Sequence, residues 1–301
     1  MAVEYTNFGR TVEVSVLIKS TGNETTFTCF PLRLSELPRP NISAKVDYKT
    51  GGKTTKCVVK IINPPQRLVG ELLGSGTQTV VRVSAGYDGV LDEVFLGAPI
   101  KEGVKYSANG GKDAELVLEC SAGAKLYREA IASISHTGSI SARQLIQDVC
   151  DQANLRVFGL DEVPENVVYP SGYYATSNAF TLLEKIAFHT KTTITFIGED
   201  EVLFTGRFTQ PTGNFERVAF FDQEKAGIIG VPTLTDKGLK FRTLLRGGIR
   251  PGDFVSVRYW NMLEQTYVTS TVRVSDVTFS LTTYGKDFYS TITGKEVDRA
   301  V

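Results

Sequence analysis

The feature that most constrains the fold is a two-residue alternation of apolar and polar side chains near both ends of the sequence. A period of two is that of a β-strand with one buried face. Glycine-rich turn sequences such as Thr50-Gly-Gly-Lys53 separate the alternating segments. We therefore predict all-β units, sandwiches or barrels, at both ends of the chain. The clearest alternating segments are residues 12–18, 42–48, 79–85, 238–245 and 254–259.

The middle of the sequence follows a different pattern. Residues 141–150 and 177–187 place apolar side chains at helical spacing behind a serine N-cap, Ser141 or Ser177. A short strand pattern follows each of them, which predicts a small α/β domain. The whole chain is then mixed and mainly β. We predict a first all-β unit, sandwich or barrel, over residues 1–123, the α/β domain over 124–210 and a second all-β unit over 211–301.

Composition argues against several functional classes. Lysine plus arginine and aspartate plus glutamate both number 33, and the formal net charge of 0 argues against generic nucleic-acid binding. No apolar run approaches the ~18 residues of a membrane span. With two histidines, and four cysteines that form no Cys-x-x-Cys pair, a zinc site is not expected. We expect neither a metal nor a cofactor, and assembly in a reducing cytoplasm.

Positive charge is concentrated in two places, and each has two interpretations. Lysines at strand edges discourage unwanted pairing. Alternatively, such clusters dock onto an acidic partner ring. One cluster consists of Lys45, Lys49, Lys53, Lys56 and Lys60, and the other of Arg242, Arg246, Arg250 and Arg258.

Three patterns suggest catalysis but lack the context that the chemistry needs. Gly51-Gly-Lys-Thr54 is similar to the end of a phosphate-binding loop, but a strand pattern and not a helix follows it, so a hairpin turn is favoured. His136 and His189 could act as acid–base groups, but no recognisable motif places a nucleophile beside them. Glu162 and Glu165 could form a carboxylate pair for glycoside cleavage. Their proline-containing acidic loop favours a solvated surface segment instead.

A tyrosine-rich loop leaves two interpretations open. Tyr169, Tyr173 and Tyr174 surround a Pro-Ser-Gly turn. Aromatic side chains are enriched at protein interfaces. The same residues could equally pack locally over the α/β core.

Two further motifs contain no catalytic group but have a distinctive backbone pattern. The first begins with Gly227-Ile-Ile-Gly-Val-Pro232 and continues through two alternating strands, separated by Gly-Gly and Pro-Gly turns, to Val257. The second is Val81-Arg-Val-Ser-Ala-Gly-Tyr87, followed by Glu93-Val-Phe-Leu-Gly97. They resemble the corner before the last barrel, and a segment of the first barrel, in the baseplate hub proteins of tailed phages. Gly230 and Pro232 are then structural residues of that corner.

The resemblance covers most of the chain and implies an assembly part and not an enzyme. It implies that the two all-β units, residues 1–123 and 211–301, are antiparallel barrels similar to that of the tail-tube protein. It implies a homotrimeric hub in the virion, in the baseplate or tail tip of a tail that is contractile or not, which joins the sixfold tail tube to the threefold spike. The tape-measure protein and the surrounding baseplate wedge proteins are implied as further partners. One alternative is a tail-associated cell-wall hydrolase that uses Glu162 or Glu165. Another is the hub of a secretion or bacteriocin-like contractile machine.

An internal repeat agrees with two similar barrels. Val104-Lys-Tyr-Ser107 followed by Gly111-Lys-Asp113 is similar to Val277-Thr-Phe-Ser280 followed by Gly285-Lys-Asp287. If the barrels are equivalent, these two turns occupy matching places around a ring. The alternative is two unrelated surface hairpins. The candidate tube-docking residues are Lys112, Asp113, Lys286 and Asp287.

Overall fold

The structure is a computed structural model that describes residues 9–19, 22–29, 41–50, 54–75, 79–108, 113–123, 130–198, 200–206, 217–225 and 227–300. The described residues divide into two compact units. The first unit lies within Met1–Asp47, Lys56–Ser121 and Glu216–Val301, and the second within Tyr48–Thr55 and Ala122–Phe215. The β-rich ends of the chain thus share one unit. None of the described helices is both long and apolar enough to cross a membrane.

The first part of the chain contributes strands in the sheet order β2-β1-β5-β6-β7-β4-β3 to the first unit. Their bounds, with those of one helix, are β1 Arg10–Ile18, β2 Asn23–Cys29, β3 Asn41–Lys49, β4 Lys56–Ile62, α1 Gln66–Ser75, β5 Thr79–Tyr87, β6 Val90–Ala108 and β7 Ala114–Ser121. The two-residue period holds in β3, which buries Ile42, Ala44 and Val46 on one face. β6 is one long strand, and its register with β7 shifts between Pro99 and Val104.

The second unit contains the predicted helix–strand pairs. Its elements are β8 Ile131–His136, β9 Ile140–Ser141, α2 Ala142–Gln152, β10 Arg156–Phe158, a 3-10 helix Leu160–Glu162, β11 Val168–Tyr169, β12 Tyr173–Asn178, α3 Ala179–Thr190, β13 Thr192–Phe196 and β14 Glu201–Gly206. A three-stranded sheet in the order β10-β14-β13 is joined by the two-stranded pairs β11-β9 and β12-β8.

One of the two predicted helix caps is correct. The hydroxyl of Ser141 accepts a hydrogen bond from the Gln144 backbone N–H at 3.2 Å. Ser177, predicted to cap α3, instead belongs to β12, where it pairs with β8. The next residue, Asn178, caps the helix by accepting a hydrogen bond from the Phe180 backbone N–H at 2.9 Å. Asparagine is as good an N-cap as serine, so sequence alone could not choose between the two neighbours.

The last part of the chain contributes strands in the sheet order β15-β18-β19-β20-β17-β16. Their bounds are β15 Arg217–Asp222, β16 Thr233–Thr235, β17 Gly238–Leu244, β18 Phe254–Asn261, β19 Thr266–Thr282 and β20 Phe288–Ala300. All strands of the first unit belong to one thirteen-stranded sheet. We call β1–β7 the first half and β15–β20 the second half of this unit.

The two halves have the same strand order. When β15, β16, β17, β18, β19 and β20 are matched with β1, β3, β4, β5, β6 and β7, the two sheet orders coincide apart from β2. No counterpart of β2 occurs among the described residues of the second half. The two halves also differ in strand direction at one place, since β1 is antiparallel to β5 while β15 is parallel to β18.

The central hairpins of the two halves also match in register. Val104 lies opposite Leu118 in the β6–β7 hairpin, and Val277 lies opposite Ile292 in the β19–β20 hairpin. The second hairpin is one residue longer between these partners, and the same one-residue shift aligns Asp113 with Asp287. The sequence repeat therefore corresponds to matching positions in matching hairpins.

The halves are joined where β3 lies beside β19 in the sheet. The Thr283 backbone N–H donates to the Ile42 carbonyl at 2.9 Å, and the Ile42 backbone N–H donates to the Thr283 hydroxyl at 3.0 Å. Further along, the Thr278 hydroxyl donates to the Asp47 carboxylate at 2.7 Å. These contacts define an antiparallel junction between the halves.

A second connection uses the turn between β5 and β6. The hydroxyl of Tyr87 accepts a hydrogen bond from the Leu245 backbone N–H at 3.1 Å. The Asp92 carboxylate accepts one from the Gly247 backbone N–H at 3.3 Å. A Cβ on Gly247 would lie 2.5 Å from the Asp92 Cβ, so this close approach requires glycine. Tyr87, which ends the first segment of the second sequence motif, thus has a structural role.

The prediction of a mainly β chain is confirmed. The more specific prediction of two β-barrels is not. The described strands of the first unit form a large, mostly antiparallel sheet, and two separate closed barrels are not found among them. The three predicted domains stay a prediction. The contacts of the described residues divide the chain into two compact units.

Candidate assembly surfaces

The predicted corner at Gly230 and Pro232 is a bulge at one edge of the large sheet. Before the bulge, Ile228 bridges to Thr243, and after it β16 pairs with β17, so four residues face two residues of β17. Gly230 has a left-handed φ of 82°, and nothing lies within 4 Å of a Cβ built on it. Pro232 is buried. Glycine is needed here for its backbone conformation and not for lack of space.

The bulge leaves a short strand with an exposed apolar side chain. Bulges and prolines at an edge limit its pairing with other strands. Leu234 in β16 lies opposite Leu239, which is buried. Leu234 therefore belongs to the buried face of the sheet, yet it is 71% exposed.

The two turns predicted to dock onto the tail tube belong to the matching hairpins. Lys112 lies outside the described residues. Asp113 is exposed, and its carboxylate accepts a hydrogen bond from the Asn63 side-chain amide at 2.7 Å. Lys286 and Asp287 are exposed in the turn between β19 and β20. The three described candidates are thus accessible.

In the tyrosine-rich loop of the second unit, two tyrosines fit local packing and the third is accessible for an interface. The hydroxyl of Tyr169 lies 3.2 Å from Nδ1 of His189, and its ring meets that of Tyr173 edge-on at 5.1 Å. Burial raises the pKa of both tyrosines. Tyr169 and Tyr173 therefore pack locally, whereas Tyr174 is 80% exposed. His136, the other histidine, has its Nε2 2.7 Å from a carboxylate oxygen of Asp148.

The acidic pair considered for glycoside cleavage is engaged in structural contacts. The Glu162 carboxylate accepts a hydrogen bond from the Gly206 backbone N–H at 2.8 Å. The Glu165 carboxylate forms an ion pair with Arg143 at 2.7 Å. Both glutamates thus connect separate segments of the second unit. In the part of the chain that the structure describes, no group of three or more His, Cys, Asp or Glu side chains is placed to hold a metal ion.

The lysine cluster is partly neutralised by neighbours on the sheet. Lys60 Nζ lies 3.1 Å from a Glu115 carboxylate oxygen, and Lys45 Nζ lies 3.8 Å from Asp47. Lys53 lies outside the described residues. These exposed pairs contribute little to stability, and they make the face mixed in sign.

The arginine cluster is likewise built into local contacts. Arg258 forms ion pairs with Asp222 at 3.2 Å and Glu224 at 2.7 Å. Burial acts to raise the pKa of Asp222, but the hydrogen bonds from the Glu224 backbone N–H and from Arg258 outweigh it and lower that pKa. Arg242 stacks over the Tyr289 ring at 4.3 Å. These arginines connect neighbouring strands of the second half.

Sequence analysis missed two features, an exposed apolar turn and the junction between the two halves. The turn between β18 and β19 presents Met262 and Leu263, and Leu263 is 91% exposed. Two apolar residues in an otherwise polar turn were a signal that could have identified it. The β3–β19 junction had no local signal, because it joins residues that are far apart in the chain.

The sequence has no match among known protein families and none among curated proteins. The fold, however, is similar to that of solved phage tail proteins over nearly its full length. A tail protein from Neisseria meningitidis MC58 gives a TM-score of 0.58 at 12% identity, covering 95% of this chain and 96% of that one. The 43 kDa tail protein of prophage MuSo2 from Shewanella oneidensis gives 0.54 at 8% identity, covering 95% and 98%.

A third similar structure comes from a secretion machine. It is an E. coli component of the type VI secretion system that itself exhibits structural similarity to T4 bacteriophage tail proteins gp27 and gp5. The TM-score is 0.52 at 9% identity, over 87% of this chain and 75% of that one. At such identities the likeness shows the fold, and the chain has the fold of tail proteins.

Proposed function

We propose that this chain is the structural hub of a phage baseplate or tail tip, a trimeric adaptor between the sixfold tail tube and the threefold spike. The observation that carries this proposal is the repeated strand order of the first unit. It occurs in a chain whose fold matches solved tail proteins over nearly its full length.

Symmetry explains why a repeated unit suits an adaptor. Three copies of a chain with two similar halves present six similar halves, which match a sixfold ring. The second unit occurs once in each copy and so keeps the threefold repeat. Closed rotational rings are a common form of homo-oligomer, and contacts between unlike surfaces close them when the rotation fits.

We further propose that each half curls into a barrel like that of a tube subunit. Two long strands, β6 and β19, exchange neighbours along their length. β6 pairs with β5 and then with β7, while β19 pairs with β18 over its first residues and with β20 over most of its length. Register shifts interrupt the ladders at Val83/Ser84 and at Thr271/Val272. Such irregularities bend strands and increase twist, which favours curling.

The proposed partners are the tail tube, the spike, the tape-measure protein and the surrounding wedge proteins. The exposed turn at Lys286 and Asp287, and the matching turn at Lys112 and Asp113, would meet the rim of the tube. Charges at the rim of an interface mainly steer docking and contribute about 1 kcal/mol or less each. In a virion this role needs surfaces and no catalytic group, cofactor or metal.

The hub of a contractile secretion machine is a second candidate, favoured by the similarity to the E. coli type VI secretion component. The assembly role would be the same, and only the machine would differ. The hydrolase alternative has less support, since Glu162 and Glu165 hold segments of the second unit together.

Sedimentation of the purified full chain tests the proposed function. The expected result is a trimer, either alone at ~100 µM or after addition of the tube and spike proteins from the same particle, because assembly partners stabilise the form that they bind. Electron microscopy should then show closed rings. A chain that stays monomeric under both conditions would contradict the hub.

A further inference from the structure

The β3–β19 junction between the two halves covers apolar side chains on both strands. Its hydrogen bonds place Ile42 opposite Thr283 and Asp47 opposite Thr278. In this register Val46 lies opposite Phe279. Both side chains have 0% exposure. The junction is therefore a contact between the last strand of one half and a central strand of the other, and its opposed apolar side chains are fully buried.

The counterpart of β3 in the second half is β16, and the counterpart of β19 in the first half is β6. Among the described residues, β16 and β6 do not pair with each other as β3 and β19 do. β16 ends the path of the sheet. Beyond Gly97, the described residues of β6 pair with β7, on one side of the strand only. The second half thus has an open last strand, β16, and the first half has a central strand, β6, with one open side. These are the two kinds of strand that pair in the internal junction.

The matching side chains are exposed where those of the junction are buried. Leu239 of β17 is the counterpart of Cys57 of β4, because their partners across the sheet, Gly294 and Cys120, match in the hairpin register. The residues opposite them in β16 and β3 are Leu234 and Val46. Leu234 is 71% exposed, whereas Val46 is fully buried.

The central strands show the same difference. Tyr106 of β6 is the counterpart of Phe279 of β19 in the repeated sequence. Phe279 is fully buried, whereas Tyr106 is only half-buried. Val104 is likewise half-buried, and its counterpart Val277 is fully buried. The open edges therefore lack the cover that the internal junction supplies.

We propose that a second copy of this chain supplies that cover, with β16 of one copy lying antiparallel to residues 104–108 of β6 in the next. Leu234 then lies opposite Tyr106 of the neighbouring copy, as Val46 lies opposite Phe279 within one copy. The surfaces are unlike, so repeating the contact produces a ring and not an isolated pair. This inference rests on the proposed trimeric hub and specifies its interface.

The bulge sets the length of this contact. In the internal junction β3 offers an uninterrupted edge from Ile42 to Asp47. In β16 the Gly230–Pro232 bulge divides the matching edge, and only Thr233–Thr235 remains as strand. A short edge pairs weakly on its own and discourages runaway association. The interface then depends on the apolar contact of Leu234 more than on a long hydrogen-bonded ladder.

Disulfide trapping tests the contact in the full chain. Directly opposed residues of antiparallel strands have a spacing that a disulfide can bridge with small adjustments. We expect Leu234→Cys mixed with Tyr106→Cys to give covalent dimers on mild oxidation, and the double variant to give covalent trimers. Each single variant alone should not cross-link through this contact, because the surfaces are unlike. Met262→Cys paired with Tyr106→Cys is the matched control, since Met262 lies in the β18–β19 turn and is as exposed as Leu234.

A charge substitution provides the second measurement. Leu234→Asp should weaken self-association at least tenfold in sedimentation while leaving the monomer folded, because the side chain is exposed in one copy. Leu263→Asp, at the more exposed position in the β18–β19 turn, should leave association unchanged. Both measurements are made with and without the tube and spike proteins.

The outcomes separate this interface from the hub itself. Specific cross-links together with dissociation by Leu234→Asp support it. Trimers that form without the cross-link and tolerate Leu234→Asp overturn the interface but keep the hub. A chain that is monomeric in all conditions, with no cross-link, overturns both.

Discussion

At the scale of single residues, Gly230 tests whether backbone conformation alone fixes the edge bulge. Its φ of 82° lies in the left-handed region, and a Cβ would meet nothing within 4 Å. Gly230→Ala should therefore destabilise the first unit by about 1–2 kcal/mol through backbone strain without a clash. Gly230→Val should cost at least as much, because β-branched residues are rarer still in this region. Thermal unfolding should show the midpoint falling by a few degrees.

The matched control is Gly70, in the interior of α1, where a Cβ also meets nothing within 4 Å. Alanine is the better helix former, so Gly70→Ala should raise stability by about 0.5–1 kcal/mol. Unchanged stability in both Gly230 variants would show that the bulge does not need glycine.

For single residues, the sequence indicates the backbone conformation better than it indicates the contact partners. The conformational demand on Gly230 was predictable, since a Gly-x-Pro sequence between strands is typical of a turn or bulge. The partners of Glu162 and Glu165 were not. Glu162 meets Gly206 and Glu165 meets Arg143 only after the second unit has folded.

At the scale of elements, the two central strands should respond differently to the same truncation. Phe279→Ala in β19 removes a fully buried ring and should cost about 3–5 kcal/mol in the free energy of unfolding. Tyr106→Ala in β6 removes a half-buried ring and should cost about 1 kcal/mol in the monomer. Denaturant titration of each variant measures both values. Equal costs would contradict the difference in cover between the two strands.

The elements themselves were largely predictable because their signals are local. The alternation of β1 and β3, and the helical spacing of α2 and α3, follow from the face that each buries. Pro99 and Gly103 interrupt the sequence pattern of β6, and its register with β7 shifts there without ending the strand. The pairing of β3 with β19 depends on residues more than 200 positions apart, and no local pattern carries such information.

At the scale of the whole molecule, the repeat has a physical consequence for assembly. The first unit joins β3 of one half to β19 of the other, and the matching strands, β16 and β6, have no such neighbour among the described residues. The chain thus contains one internal junction, β3–β19, and two strands with an open side, β16 and β6. In the proposed ring, self-association would repeat a contact that the fold already contains, so that one gene product would form a ring of similar halves.

The same organisation predicts how many cooperative transitions the chain has. Three independent domains would unfold in three transitions, whereas two compact units should give two. Three truncations of fully buried residues assign them in calorimetry: Ile61→Ala in the first half, Phe279→Ala in the second half and Leu183→Ala in the second unit. Each should cost about 2–5 kcal/mol. Because β3–β19 pairing and the Tyr87–Leu245 hydrogen bond couple the halves, Ile61→Ala and Phe279→Ala should lower the same transition, and Leu183→Ala the other. Separate transitions for Ile61→Ala and Phe279→Ala would show that the two halves fold as independent domains.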